Sequence, residues 1–328
     1  MTFNRNASGA RALLAGVAIA LSVAAATPAR AEWPERTVTI VVPYAAGGNT
    51  DIMARMATEW LSNRIGHHFI VENRVGAGAT LGAAYVANSK PDGYTFLFGA
   101  APQLQVAPLV QKVNYDPRKS FAPVATFGAG PQVLGMHASV PAKNLRELIA
   151  YGKANQGKLN YASGGQGTAG HLAAAWLASR AGIEMVHVPY KGGSQATTDL
   201  LAGQVQMYFG NASELLPHAG DEAIRLIAVS TPKRMPQLPE VEAVEETFPG
   251  FNMDNWNGFL APAGTPRPIL ETMAREVAAA AKDKGIAARL TELGIQPGGV
   301  TLEDFQKEID DTRPAFEEAV KAAGMKME

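Results

Sequence analysis

From Thr37 onward the apolar positions fall into two alternating patterns. Short, nearly unbroken runs such as 37–44 (TVTIVVPY) read as buried strands. The stretches between them, such as 50–66 (TDIMARMATEWLSNRIG), repeat apolar residues every three or four positions and read as helices. The order continues through HFIVENR (68–74), ATLGAAYVANS (79–89) and YTFLFGA (94–100), which is strand, helix, strand, helix, strand. Gly47-Gly48, Gly66 and Pro91-Asp92-Gly93 punctuate it at the expected places. A βαβαβ order predicts three parallel neighbouring strands in an α/β fold.

A second run of the same kind starts near Gln132. VLGMHAS (133–139), KLNYAS (158–163), EMVHVPY (184–190), VQMYFG (205–210) and RLIAVS (225–230) read as strands. NLRELIAYGKAN (144–155), HLAAAWLASRAG (171–182) and ATTDLLAG (196–203) read as the helices among them. After GFLAP (258–262), one more strand, only helices follow, at 266–283, 286–294 and 302–323. In these, Glu303 and Lys307, and Glu317 and Lys321, stand four apart on a solvated face. Helices without strands of their own need a sheet to cover, and the first run supplies it. The pattern therefore predicts two lobes joined by crossings near 131–138 and 254–261, with residues 32–131 plus 257–328 in lobe I and 132–256 in lobe II.

The N-terminus adds a compartment. Arg5 and Arg11 precede an apolar run from Ala12 to about Ala26, and Ala29-Arg30-Ala31 offers the small residues of a cleavage site. Residues 1–31 are expected to be a secretory signal peptide removed before Glu32, since the run is short of the roughly 20 residues of a membrane span. The chain has 29 basic and 30 acidic residues; the leader holds three arginines and no acid, leaving 26 basic against 30 acidic side chains in the mature protein. With no basic block, a nucleic-acid partner is not expected. There is no cysteine, so disulfides, thiolate metal sites and a lipidated cysteine anchor are excluded. An exported chain with no tether fits a bacterial periplasm, with secretion to the outside as the alternative, and a monomer is expected. The six histidines are scattered, and no metal or cofactor is predicted.

One motif suggests a cofactor. NYASGGQGTAGH (160–171) contains G-x-G-x-x-G at Gly165, Gly167 and Gly170, between a strand and a helix. A dinucleotide site also needs an acid at the end of the next strand, and EMVHVPY ends in Pro189-Tyr190 while Glu184 starts it. What remains is anion binding by helix-start amides, with an ordinary capped helix start as the alternative.

The segments PYAAGGNTDIMAR (43–55), ENRVGAGATLGAAYVANSKPDGYT (72–95), LNYASGGQGTAGHLAA (159–174), VPYKGGSQATTDLLAGQVQMYF (188–209) and GFLAPAGTP (258–266) together resemble the Bug-type substrate-binding receptors of tripartite tricarboxylate transporters. The resemblance spans nearly all of the mature chain. It implies a two-lobed type II periplasmic-binding fold, a ligand between the lobes, and partners in a small and a large integral membrane subunit. Ala46 stands where such receptors often have proline before the double glycine, and Gln206 where an acid often follows G-x-V. Both departures bear on ligand identity more than on fold.

Candidate ligand contacts lie at strand ends and helix starts. In the first lobe these are Tyr44, Ala45, Ala46, Gly47, Asn49 and Thr50, with Asp51 a capping residue because a carboxylate would repel an anion. Ala101 and Gln103 follow the third strand; a merely exposed glutamine is the alternative for Gln103. In the second lobe they are Ser163, Gly164, Gly167, Thr168 and His171, then Tyr190 and Lys191, where a solvated rim lysine is the alternative, and Asn211. Tyr44 also fits the core, and Trp256 the packing of the second crossing. A small carboxylate is the expected ligand. Ser163, His171 and Lys191 could be cast as nucleophile and base of a secreted hydrolase, but no G-x-S-x-G, S-x-x-K or H-E-x-x-H is present. A ligand sensor docking on a membrane kinase is a third reading.

Overall fold

The structure, a computed structural model, describes residues 33–253 and 255–325, so the predicted leader lies outside the described residues. Strand β1 (Val38–Val42) is buried at every position but Thr39. Helix α1 (Asn49–Ile65) follows and stops at Gly66, whose left-handed φ of 79° and bond back to Ser62 O close the last turn. Then come β2 (Phe69–Asn73), α2 (Thr80–Ala87) and β3 (Thr95–Ala100). β1 lies between β2 and β3 and is parallel to both, as the βαβαβ pattern predicts.

Two short helices, α3 (Ala101–Gln105) and α4 (Ala107–Val110), lead to β4 (Phe121–Gly130), a ten-residue strand absent from the sequence-based expectation. Its FAPVATFGAG has neither strict alternation nor an unbroken apolar run. At Pro131 the chain leaves this sheet and enters the second through β5 (Gln132–His137). The second region runs α5 (Leu145–Ala154), β6 (Leu159–Ser163), α6 (Ala169–Ala181), β7 (Met185–Pro189), α7 (Gly193–Leu201), β8 (Met207–Asn211), the single turn α8 (Ala212–Leu215), β9 (Ile224–Val229) and β10 (Glu242–Ala243). The chain then returns to the first sheet as β11 (Asn255–Pro262), followed by α9 (Arg267–Lys282), α10 (Lys284–Glu292), β12 (Gln296–Pro297) and α11 (Leu302–Ala322).

The first sheet has the order β12-β4-β11-β3-β1-β2, and the second β10-β9-β5-β8-β6-β7. The first is parallel at its β3-β1-β2 end and the second at both ends, and each is antiparallel where the crossing strands enter: β11 pairs antiparallel with β3 and β4, and β5 with β8 and β9. All these elements belong to one compact unit that begins at Arg36. Phe98 meets Phe127 and Phe259 edge to face inside the first lobe, and Trp176 stacks on Phe251 at 4.6 Å inside the second.

The last helix departs from expectation. Rather than covering the first sheet alone, α11 spans both lobes: Phe305 sits edge-on to Trp256 at the second crossing, and Ala322 O near the far end accepts the Ser179 hydroxyl of α6 at 2.5 Å. On its exposed face Glu303 pairs with Arg267 and Lys307 with Asp311, so the expected Glu303–Lys307 pair is replaced by other partners.

The glycine pattern 165-167-170 has a packing reason. Gly165 and Gly167 take φ of 130° and 71° in the β6–α6 turn, and a Cβ at Gly170 would lie 2.1 Å from Phe209 O on β8. Helix and strand thus meet backbone to backbone. Gly170→Ala should destabilise the fold by about 1–3 kcal/mol through this clash, measured by urea unfolding; an unchanged midpoint would show that α6 does not depend on that approach.

Candidate functional site

The two sheets face each other across a small cavity of about 40 Å³. Around it the lobes touch: Ala45 N donates to Lys191 O at 3.3 Å, and Ser213 Oγ to Asn49 Oδ1 at 2.7 Å. The cleft is closed in this conformation.

On the lobe I side the loop from β1 to α1 is held by Asp51. Its carboxylate accepts the Gly47 N–H at 2.9 Å, two bonds from Arg55 and one from Asn73. Burial pushes this carboxyl up, but the bonds from Arg55, Gly47 and Asn73 together outweigh it and hold Asp51 below the usual carboxylate range. Asp51 is therefore a clamp on the loop, and Gly48, with no side chain, takes the N-cap position. Tyr44, Asn49 and Thr50 line the cavity; Ala45, Ala46 and Gly47 do not. The Thr50 hydroxyl donates to Asn257 Oδ1 at 3.1 Å.

Behind them Gln103 is fully buried, neither an exposed glutamine nor a cavity-lining one. It accepts the Ala100 N–H through Oε1 at 2.6 Å and donates through Nε2 to the Tyr44 hydroxyl at 2.5 Å. Burial pushes the Tyr44 phenol up, so Tyr44 is both core and cavity wall. Ala101 is buried too, its N–H donating to Asn255 Oδ1 at 3.2 Å, and Pro102 takes its place on the wall. Trp256 packs the crossing, donating from Nε1 to Gln105 Oε1 at 3.2 Å.

On the lobe II side, Thr168 is the N-cap of α6: its Oγ1 accepts from His171 N at 3.4 Å and donates to Gly165 O at 2.8 Å. The Gly167 N–H is taken by His171 Nδ1 at 3.1 Å. Ala169 and Gly170, next in the first helical turn, line the cavity, and their N–H groups have no partner among the described residues. Gly164, Thr168 and Asn211 line it as expected, whereas Ser163, Gly167 and His171 lie behind the wall. Tyr190 donates its hydroxyl to Asp199 at 2.6 Å, and burial with that neighbour pushes its phenol up to about 12. Lys191 is exposed and touches lobe I only through its carbonyl. Neither lines the cavity.

Ser163 makes the nearest approach to a nucleophile–base pair, its Oγ lying 2.6 Å from His187 Nε2. The hydroxyl is also bonded to the Gly165 backbone on both sides, and the residue is 0% exposed. His187 stacks between His171, at 3.8 Å, and Tyr161, at 5.0 Å. Burial pushes His171 down to about 3, with His187 adding to it, and His187 down to about 4.

Several wall residues escaped the sequence reading, among them Gln132, Tyr208 and Glu214. Gln132, at the first crossing, donates to Asn211 Oδ1 at 3.0 Å, and Tyr208 and Glu214 stand beside it. Asn211-x-x-Glu214 is a capping-box pattern, legible in principle. Its carboxylate accepts the Asn211 N–H and the Tyr208 hydroxyl, and across the cleft the Asn49 N–H. Burial pushes the Tyr208 phenol well up, and the Glu214 charge adds to it.

Residues 53–325 match the tripartite tricarboxylate transporter family receptor, TctC. The chain belongs to that family. Three proteins of known structure superpose on it over nearly their whole length. R. palustris Rpa4515 with adipate is 33% identical with a TM-score of 0.87, covering 90% of this chain and 100% of that one. The periplasmic binding protein BugD is 32% identical with a TM-score of 0.86 over the same shares. MatC (Rpa3494) from Rhodopseudomonas palustris with bound malate is 31% identical with a TM-score of 0.83, covering 88% and 100%. The Bug-type resemblance and the two-lobed periplasmic-binding fold both hold, and this TctC chain is a solute-binding receptor.

The histidine pair, with His171 buried and His187 half-buried, fixes a pH dependence of stability. In the folded protein His171 and His187 stay neutral down to about 3 and 4, while in the unfolded chain each protonates near its ordinary 6.5. Between those values the unfolded state binds more protons, so stability rises with pH there and is lost on acidification. The Tm should fall as pH is lowered from about 6.5 toward 4, and fall less steeply in His187→Gln; equal slopes in the two proteins would contradict the assignment.

Proposed function

We propose that the mature protein, cleaved before Glu32, is a periplasmic receptor that closes around a small carboxylate and presents it to the small and large integral membrane subunits of a tripartite transporter. The observation that carries this reading is the start of α6, where Ala169 and Gly170 line the cavity with N–H groups that have no partner among the described residues, at the positive end of a thirteen-residue helix. A carboxylate accepting them would satisfy donors that the fold leaves open. The lining includes no lysine, arginine or histidine, so the grip comes from backbone dipoles and neutral side chains. The adipate and malate carried by two of the relatives agree with a carboxylate here. Residues 32–131 with 257–328, and 132–256, are the two bodies that close, since a ligand bonded to both favours the closed arrangement.

The hydrolase reading has less support. Its best nucleophile, Ser163, points away from the cavity into the histidine stack, and His171 and Lys191 do not reach it. No helix among the described residues is long and apolar enough to cross a membrane.

Thermal-shift screening of mono-, di- and tricarboxylates, aromatic acids and amino acids should raise the Tm with at least one carboxylate. For that ligand, affinity should weaken as pH falls through its own pKa values, because protonation removes the charge-assisted bonds. Affinity that stays flat through that range, or an uncharged molecule binding best, would contradict the reading.

A further inference from the structure

The cavity wall of this anion receptor contains a negative charge. We propose that Glu214 sets the ligand class: a molecule with a single carboxylate, held at the start of α6, and an ammonium group at its other end facing Glu214. The proposal rests on the carboxylate reading above and narrows it.

Glu214 is built into the wall. It stands on α8 in lobe II, where Oε2 accepts the Tyr208 hydroxyl at 2.6 Å and the Asn211 N–H at 3.1 Å. Its Oε1 accepts the Asn49 N–H of lobe I at 3.3 Å. Opposite it, a Cβ at Gly193 would lie 2.2–2.3 Å from all three carboxylate atoms, so the glycine leaves the space that the carboxylate fills. The residue is half-buried and lines the cavity.

Two consequences follow. At the start of α1 the Asn49 N–H already has an anion, supplied by the protein itself, whereas Ala169 and Gly170 at the start of α6 line the cavity with N–H groups that have no partner among the described residues. A carboxylate also has about four lone-pair positions, and three donors reach this one, leaving a position on Oε1 for a ligand donor. With no lysine, arginine or histidine on the wall to neutralise Glu214, a second ligand carboxylate would be repelled and an ammonium attracted. The isolation of this charge within a closed cleft strengthens both effects.

Isothermal titration of the mature chain with length-matched pairs isolates the terminal group: succinate against 3-aminopropanoate, glutarate against 4-aminobutanoate, adipate against 5-aminopentanoate. The expected result is that, at the length that fits, the amino acid binds at least tenfold tighter than the dicarboxylate, and that Glu214→Gln collapses this ratio by tenfold or more while the Tm stays near wild type. A wild-type preference for the dicarboxylate, or a ratio that Glu214→Gln leaves unchanged, overturns the proposal while leaving the carboxylate receptor intact. If neither member of any pair binds and only uncharged molecules do, the carboxylate reading falls and this inference with it. Should Glu214→Gln not fold, the wild-type ratio alone decides.

Discussion

Backbone N–H groups that a helix cannot satisfy within itself govern this molecule. Every helix start leaves such donors, and here two of them meet across a closed cleft. At the start of α1 some of the donors are met from within, Gly47 by Asp51 and Asn49 by Glu214. At α6 the cap Thr168 takes the His171 N–H and the ring of His171 takes that of Gly167, before the cap, while Ala169 and Gly170 line the cavity without a partner among the described residues. The site is thus defined less by what side chains reach into it than by which amides the fold declines to use.

Keeping those amides in place demands close backbone approach. Gly170 brings α6 against β8 within the second lobe, and a Cβ at Gly78 would lie 1.9 Å from Gln166 O in the opposite lobe, so the lobes close to van der Waals contact at the β6–α6 turn. Behind the turn, the stacked His171 and His187 fix its inner face as neutral, hydrogen-bonded rings. Any side chain added on the glycine positions, or any charge on the rings, would be felt at the amides. The last helix then couples the lobes from outside, bonding Ala322 to Ser179 on α6.

Much of this is legible in the sequence, and the remainder has identifiable physical reasons. The alternation of periods locates the βαβ units, because strands buried on both faces and amphipathic helices differ in apolar spacing. β4 escapes that test: Pro123 and the glycines at 128 and 130 interrupt its run, and its pairing with β11 and β12 is supplied by segments far along the chain. Site residues divide in the same way. Thr168 as a cap and Asn49 and Thr50 at a helix start follow from local grammar, whereas Gln103, Ser163 and His171 have the right chemistry but point inward, a direction set by packing. Glu214 shows the limit most clearly. Its capping box can be read locally, yet its reach to Asn49 crosses 165 residues of sequence and exists only because Gly193 leaves room.

The central claim is that a ligand carboxylate is held by the first-turn amides of α6 rather than by a cationic side chain. An amide nitrogen–proton correlation spectrum of the isotope-labelled protein, recorded while a binding carboxylate is titrated in, tests it most directly. The account predicts saturable downfield proton shifts at Ala169 and Gly170, larger than at the already bonded Gly167, with the Lys191 side chain unaffected. Shifts centred on Lys191 or on Arg55, with the Ala169 and Gly170 amides unmoved, would contradict it.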